Sequence, residues 1–152
     1  MIEFHNKTEN SATEPTTTLT LPLDLRQKSR QRVELDDGRE AALFLKRGTV
    51  LHNGDLLISS TNMVVKVQAA NEKLSEARCT DPLLFARACY HLGNRHMPLQ
   101  IESNRILYLH DHVLDDMLQG LGLTVEQISA PFAPEPGAYG GDSSRAGHSH
   151  AH

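Results

Sequence analysis

The sequence predicts an α+β chain: a β-rich module, then a β-α-β-β-α-β unit, then a polar tail. Three observations predict it. Short apolar alternations of period two, punctuated by Asp-Gly and by single glycines, fill residues 18–70. Two segments with apolar residues at i, i+3, i+4 and i+7 follow, set between strand-like runs. From Pro131 onward the composition turns to Pro, Gly, Ser and Ala, and no apolar periodicity survives.

Taken in order, residues 1–17 read as a flexible N-terminal tail, polar and without periodicity. Leu19, Leu21 and Leu23 alternate, and Pro22 suits an edge strand. Val33 and Leu35 alternate with Arg32 and Glu34 up to Asp37-Gly38, a dipeptide that supplies the positive φ angles of a tight hairpin turn. Ala41, Leu43 and Leu45 continue one face beyond it. Gly48 and Gly54 bracket a short strand at 49–51, and 56–59 and 64–70 are further strands. Residues 18–70 therefore form a small all-β domain. Residues 71–131 change character. After a strand at 74–79, Asp81 caps a helix and Pro82 fits its first position. Phe85, Ala88, Cys89 and Leu92 make its buried face, and Gly93 marks its end. Strands at 99–102 and 105–110 flank a Ser103-Asn104 turn. Asp111 caps a second helix with Leu114, Met117, Leu118 and Leu121 on one face, and Gly122 stops it. A strand at 124–129 completes the split βαβ order of ferredoxin-like folds. Residues 132–152 read as a flexible tail ending in GHSHAH.

A chain of 152 residues suffices for one ordinary domain or two small ones, and 5% aromatics with no Trp predicts thin cores. The formal charge of -4 leaves no basic footprint, so no nucleic-acid partner is expected. No run approaches the ~20 apolar residues of a membrane helix, so no membrane partner is expected. The polar N-terminus is no secretory signal. Cys79 and Cys89 lie ten apart and form no CxxC, which excludes a structural thiolate zinc site within one chain. Two free cysteines without an export signal point to a reducing cytoplasm. No HExxH, GxSxG, phosphate-cradling glycine loop or dinucleotide fingerprint is present, so the expectation is that the protein is not an enzyme.

The chemistry concentrates in residues 88–117, which hold four of the nine histidines, His91, His96, His110 and His112, together with Cys89 and the carboxylates Asp111, Asp115 and Asp116. Imidazole and carboxylate donors without paired thiolates suit nickel, zinc or copper. His96 has two readings. It is a cation favoured near a helix C-terminus, or a metal ligand. One imidazole cannot hold a divalent ion, but a homodimer presents a residue near its two-fold axis twice. His110 and His112 share a face if the segment is extended, and diverge by about 200° if the helix already begins at His110. They read as auxiliary ligands, the nearby carboxylates as cap and helix-terminus groups. His91, five residues before His96, shares no helical face with it. Cys89 reads as core and Cys79 as a weak soft ligand. His148, His150 and His152 alternate in the tail; a flexible chain must order itself to wrap a metal, which predicts weaker, exchangeable binding. Neutral imidazoles bind the ion, so affinity is expected to fall as the pH drops through the ordinary histidine range near ~6.5.

The stretches CYHLGNRHMPLQ (residues 89–100) and HDHVLDDMLQGLGL (residues 110–123) strongly resemble the UreE urease accessory family of nickel metallochaperones, and RVELDDGREAALFLKRGTVLHNGDLL resembles that family's β-rich first domain. The resemblance implies a homodimer with His96 of each subunit on one Ni(II) ion, His110 and His112 at auxiliary metal positions, and tail histidines that gather nickel. It implies as partners the urease GTPase UreG, the urease activation complex and apo-urease, with Ni(II) as cargo and Zn(II) or Cu(II) able to occupy the same sites. Three tail histidines are few for bulk storage. The rival reading is a general divalent-metal buffer with no delivery role.

Overall fold

The computed structural model describes residues 1–9 and 12–137. The chain divides into two compact units, Met1–Ala70 and Asn71–Glu135, joined where one strand ends and the next begins. No helix among the described residues is long and apolar enough to cross a membrane.

The first unit contains β1 (Ile2–Thr8), β2 (Thr17–Leu21), the single-turn α1 (Leu23–Arg26), β3 (Arg30–Glu34), β4 (Glu40–Phe44), β5 (Leu56–Ser59) and β6 (Val64–Ala69). They form one sheet in the order β2-β6-β5-β1-β4-β3. β1–β4 and β2–β6 are parallel; the other pairs are antiparallel. Phe4, Leu19, Leu43, Leu51, Leu57, Val65 and Val67 are fully buried in its core.

The N-terminal segment corrects the reading of residues 1–17 as a flexible tail. Ile2–Thr8 is a strand inside the sheet, hydrogen-bonded to β4 on one side and β5 on the other. Its polarity misleads because most of its side chains stay exposed and Phe4 alone is fully buried. Such a strand is held by backbone hydrogen bonds on both edges and one apolar anchor, which no local periodicity reports. Leu23 also departs from the predicted strand. The chain turns at Pro22, whose carbonyl accepts from Leu25 and Arg26, and Leu23 is buried on α1 instead. β2 does lie at a sheet edge.

The β3–β4 hairpin turns over Asp37-Gly38, but only Gly38 (φ +95°) adopts a left-handed conformation. A type I′ two-residue turn needs both and a type II′ turn needs the first, so the loop is longer: Leu35 N–H donates to Arg39 O and Leu35 is buried. The strand expected at 49–51 is a turn, with Thr49 bonded through N–H and hydroxyl to Lys46 O, while Leu51 plugs the core.

The second unit contains β7 (Asn71–Arg78), α2 (Pro82–Gly93), β8 (Gln100–Glu102), β9 (Arg105–Leu109), α3 (His112–Leu121) and β10 (Thr124–Pro131). Its sheet order is β10-β7-β9-β8, every pair antiparallel, so β7 and β8 flank β9 as the split βαβ requires. Asp81 and Asp111 cap the helices, their Oδ1 atoms accepting from Leu83 and Leu84 N–H and from Val113 and Leu114 N–H. Gly122 closes α3 at φ +114°, and Leu123 N–H reaches back to Leu118 O, a Schellman end. Ala88, Leu92, Leu114 and Leu118 are buried, with Phe85, Cys89, Met117 and Leu121 packed at their flank.

The tail placed at residues 132–152 starts too early. Phe132 is fully buried, Ala133 N–H donates to Gln100 Oε1 at 2.9 Å, and Glu135 N–H donates to Leu99 O. One large apolar side chain and two strand-edge bonds hold a segment whose composition alone reads as unstructured.

Candidate metal centre

His96 lies just past α2. The chain leaves the helix through Asn94, in right-handed helical geometry, and His96 N–H donates to Gly93 O at 3.0 Å. His96 itself has φ +57° and is exposed. A left-handed conformation is uncommon for a residue bearing a Cβ and costs of order 1–3 kcal/mol. The main chain is thus held at some cost in a shape that projects one imidazole into solvent.

His110 and His112 straddle the N-terminus of α3. His110 N–H donates to Lys73 O, Asp111 is extended, and His112 is the first helical residue. The junction between the two readings of HxH therefore falls at Asp111. His110 Nδ1 lies 3.3 Å from Asp115 Oδ2 and 3.1 Å from Ser75 Oγ. Asp115 Oδ1 accepts from the Tyr108 hydroxyl at 2.6 Å. Burial, and then the Asp115 carboxylate beside it, push the Tyr108 phenol well above the usual tyrosine range. The His110 side chain stays 30% exposed. His112 is exposed.

Asp115 and Tyr108 are the residues that sequence reasoning passed over; Asp115 reads from sequence as a mere complement to the helix N-terminus. The available signal was the apolar parity of β9: a Tyr on its buried face must find a partner for its hydroxyl, and Asp115 one turn into α3 is within reach.

His91, His5 and the two thiols have their own surroundings. His91 is exposed with Tyr90 edge-on at 5.4 Å. His5 stacks on Phe44 at 5.5 Å. Cys79 Sγ contacts Asp81 O at 3.6 Å, and burial pushes the Cys89 thiol up, with Cys79 adding to the effect, which disfavours the thiolate a metal would need. Among the described residues no three His, Cys, Asp or Glu side chains are gathered closely enough to hold a metal ion. Among the described residues the geometry joins His110 to Asp115 but does not complete a coordination set around His96. His148, His150 and His152 lie outside the described residues.

Residues 2–70 match the family model described as "UreE urease accessory protein, N-terminal domain", and residues 72–152 match "UreE urease accessory protein, C-terminal domain". A urease accessory protein UreE of Proteus mirabilis is 55% identical over 142 residues, 93% of this chain and 88% of that protein. Its counterpart in Alkalilimnicola ehrlichii is 60% identical over 124 residues, 82% of this chain and 76% of that protein. One from Pseudomonas putida is 61% identical over 125 residues, 82% and 78% of the two chains. With the two domain models together matching residues 2–70 and 72–152 and relatives above half identity along most of its length, the chain belongs to the UreE urease accessory protein family.

Proposed function

We propose that this chain acts in urease maturation as a nickel carrier without catalytic activity: two copies pair, His96 from each meets one Ni(II) ion, and the ion passes to apo-urease. The observation that carries the reading is His96 itself, an exposed imidazole on a left-handed backbone with no further donors gathered around it among the described residues. A single imidazole is half of nothing useful unless a second is brought to it, and two-fold pairing brings it. Leu83 and Tyr90 support the pairing. They are 59% and 65% exposed on α2, seven positions apart and hence on one face of the helix that leads to His96. Exposed large apolar residues grouped in this way mark interaction surfaces.

His110 and His112 serve as auxiliary positions at the start of α3, and His148, His150 and His152 gather the ion before transfer. Zn(II) and Cu(II) fit the same donors, and imidazole favours copper, so selection for nickel rests on supply and on partners. Those partners are the urease GTPase UreG and the activation complex around apo-urease, in the cytoplasm, with no nucleic acid and no membrane involved.

Native mass spectrometry of the full chain with sub-stoichiometric nickel tests the reading. The expected species is two chains with one ion, absent in His96→Ala. A strictly monomeric chain that holds nickel tightly overturns it. A pull-down of UreG with nickel-loaded protein separates carrier from buffer: a buffer retains nothing.

A further inference from the structure

We propose that Asp115, backed by Tyr108 and Ser75, is a positioning residue that fixes the His110 imidazole with its proton on Nδ1 and leaves Nε2 as the metal-binding nitrogen. The role rests on the nickel reading of His110; the network beneath it does not.

Ser75 and Tyr108 face one another in register across β7 and β9, and both are fully buried. Buried hydroxyls must be paired, and here the pairing is closed. Tyr108 Oη donates to Asp115 Oδ1 at 2.6 Å, and the Ser75 hydroxyl finds its partner in the His110 ring. The second carboxylate oxygen, Oδ2, lies 3.3 Å from His110 Nδ1, and Ser75 Oγ lies 3.1 Å from the same nitrogen. An ionised carboxylate only accepts hydrogen bonds, so the proposed proton on Nδ1 faces an oxygen that can take it, and the Ser75 hydroxyl, able to donate or accept, then serves as an acceptor. In the neutral ring the lone pair then sits on Nε2.

The anchors are rigid. Asp115 is on the first turn of α3, one helical turn beyond its cap, with its N–H bonded to Asp111 O. His110 is tied through its main chain to Lys73 O. If Asp115 served only to pin α3 to β9, the Tyr108 bond would suffice; the second oxygen is turned to the imidazole. Metal-ligating histidines generally give their other ring N–H to such a carboxylate, which sets the tautomer and raises basicity, and loss of the partner typically costs 10–100-fold in metal affinity.

The experiment is long-range ¹H–¹⁵N correlation of the His110 ring in the full-length metal-free protein, at a pH where the imidazole is neutral, with nickel calorimetry on the same samples. The wild-type ring is expected as the Nδ1–H tautomer. Asp115→Ala releases it toward the Nε2–H form that free imidazole side chains prefer, and weakens the His110-dependent nickel event by about 10–100-fold while the His96-dependent event stays. Tyr108→Phe leaves the carboxylate in place and keeps the tautomer. A wild-type ring not protonated on Nδ1, which requires no variant to fold, overturns the positioning role, as does an Asp115→Ala ring of unchanged tautomer. A locked tautomer that Asp115→Ala releases, with every nickel event unchanged in His110→Ala, overturns instead the metal reading on which the role stands.

Discussion

Replacing His96 separates the strain in its backbone from the ion it is proposed to bind. At φ +57° the residue occupies the left-handed region, where a Cβ costs roughly 1–2 kcal/mol. His96→Gly removes that cost but gives the unfolded chain back about 0.4–1 kcal/mol of entropy. Metal-free His96→Gly is therefore expected to be about 0–1.6 kcal/mol more stable than wild type. His96→Ala keeps the Cβ and loses only an exposed ring, so it stays within about 0.5 kcal/mol. Nickel changes the comparison. An ion that binds only the folded form adds about 2.7 kcal/mol when free nickel is 100 times the dissociation constant. Urea unfolding of the full chain, with and without nickel at that excess, reads all three. Wild type gains the increment and both variants lose it at the tight site. A nickel-dependent gain above about 2 kcal/mol in His96→Ala would refute the assignment of the ion. A metal-free loss above about 0.5 kcal/mol in His96→Gly would refute the strain argument.

Phe4→Ala is expected to destabilise the first unit by about 3–5 kcal/mol, because Phe4 is fully buried on an interior strand; urea unfolding checks it, and a change below about 1 kcal/mol would restore the view of a dispensable tail. Tyr108 holds its proton more tightly when folded. Its contribution is therefore intact below the ordinary tyrosine value of ~10 and is lost as the pH rises through the raised folded value. Alkaline titration of tyrosine absorbance should show a late component that Tyr108→Phe abolishes. Deleting residues 147–152 is expected to lower nickel stoichiometry and leave the tight site; loss of all binding would make the tail primary.

Much of the fold was legible because its signals are local. Asp81 and Asp111 cap helices through their own next residues, and Gly122 is left-handed where the apolar face of α3 runs out. What escaped depends on distant partners. β1 reads as polar because its stability comes from β4 and β5, and the segment after Pro131 reads as tail because a single Phe and two bonds secure it. The site divides in the same way. The sequence names His96, His110 and His112 as imidazoles, but not the conformation that projects the first or the carboxylate that grips the second, since Asp115 acquires its role only when β9 sets Tyr108 beside it.

The placement of β1 also governs how the protein is made. β1 leaves the ribosome before either of the strands that flank it, and Phe4 finds its neighbours only once Leu43 and then Ser59 have been synthesised. At about 5–20 residues per second the nascent strand waits about 2–8 s for its first partner and about 1–3 s more for the second. Such long-range parallel pairing also slows the search for the native register. A bulky fusion at Met1 would hang directly from that strand during the wait, so a tag at the opposite terminus is expected to give the better yield of folded protein.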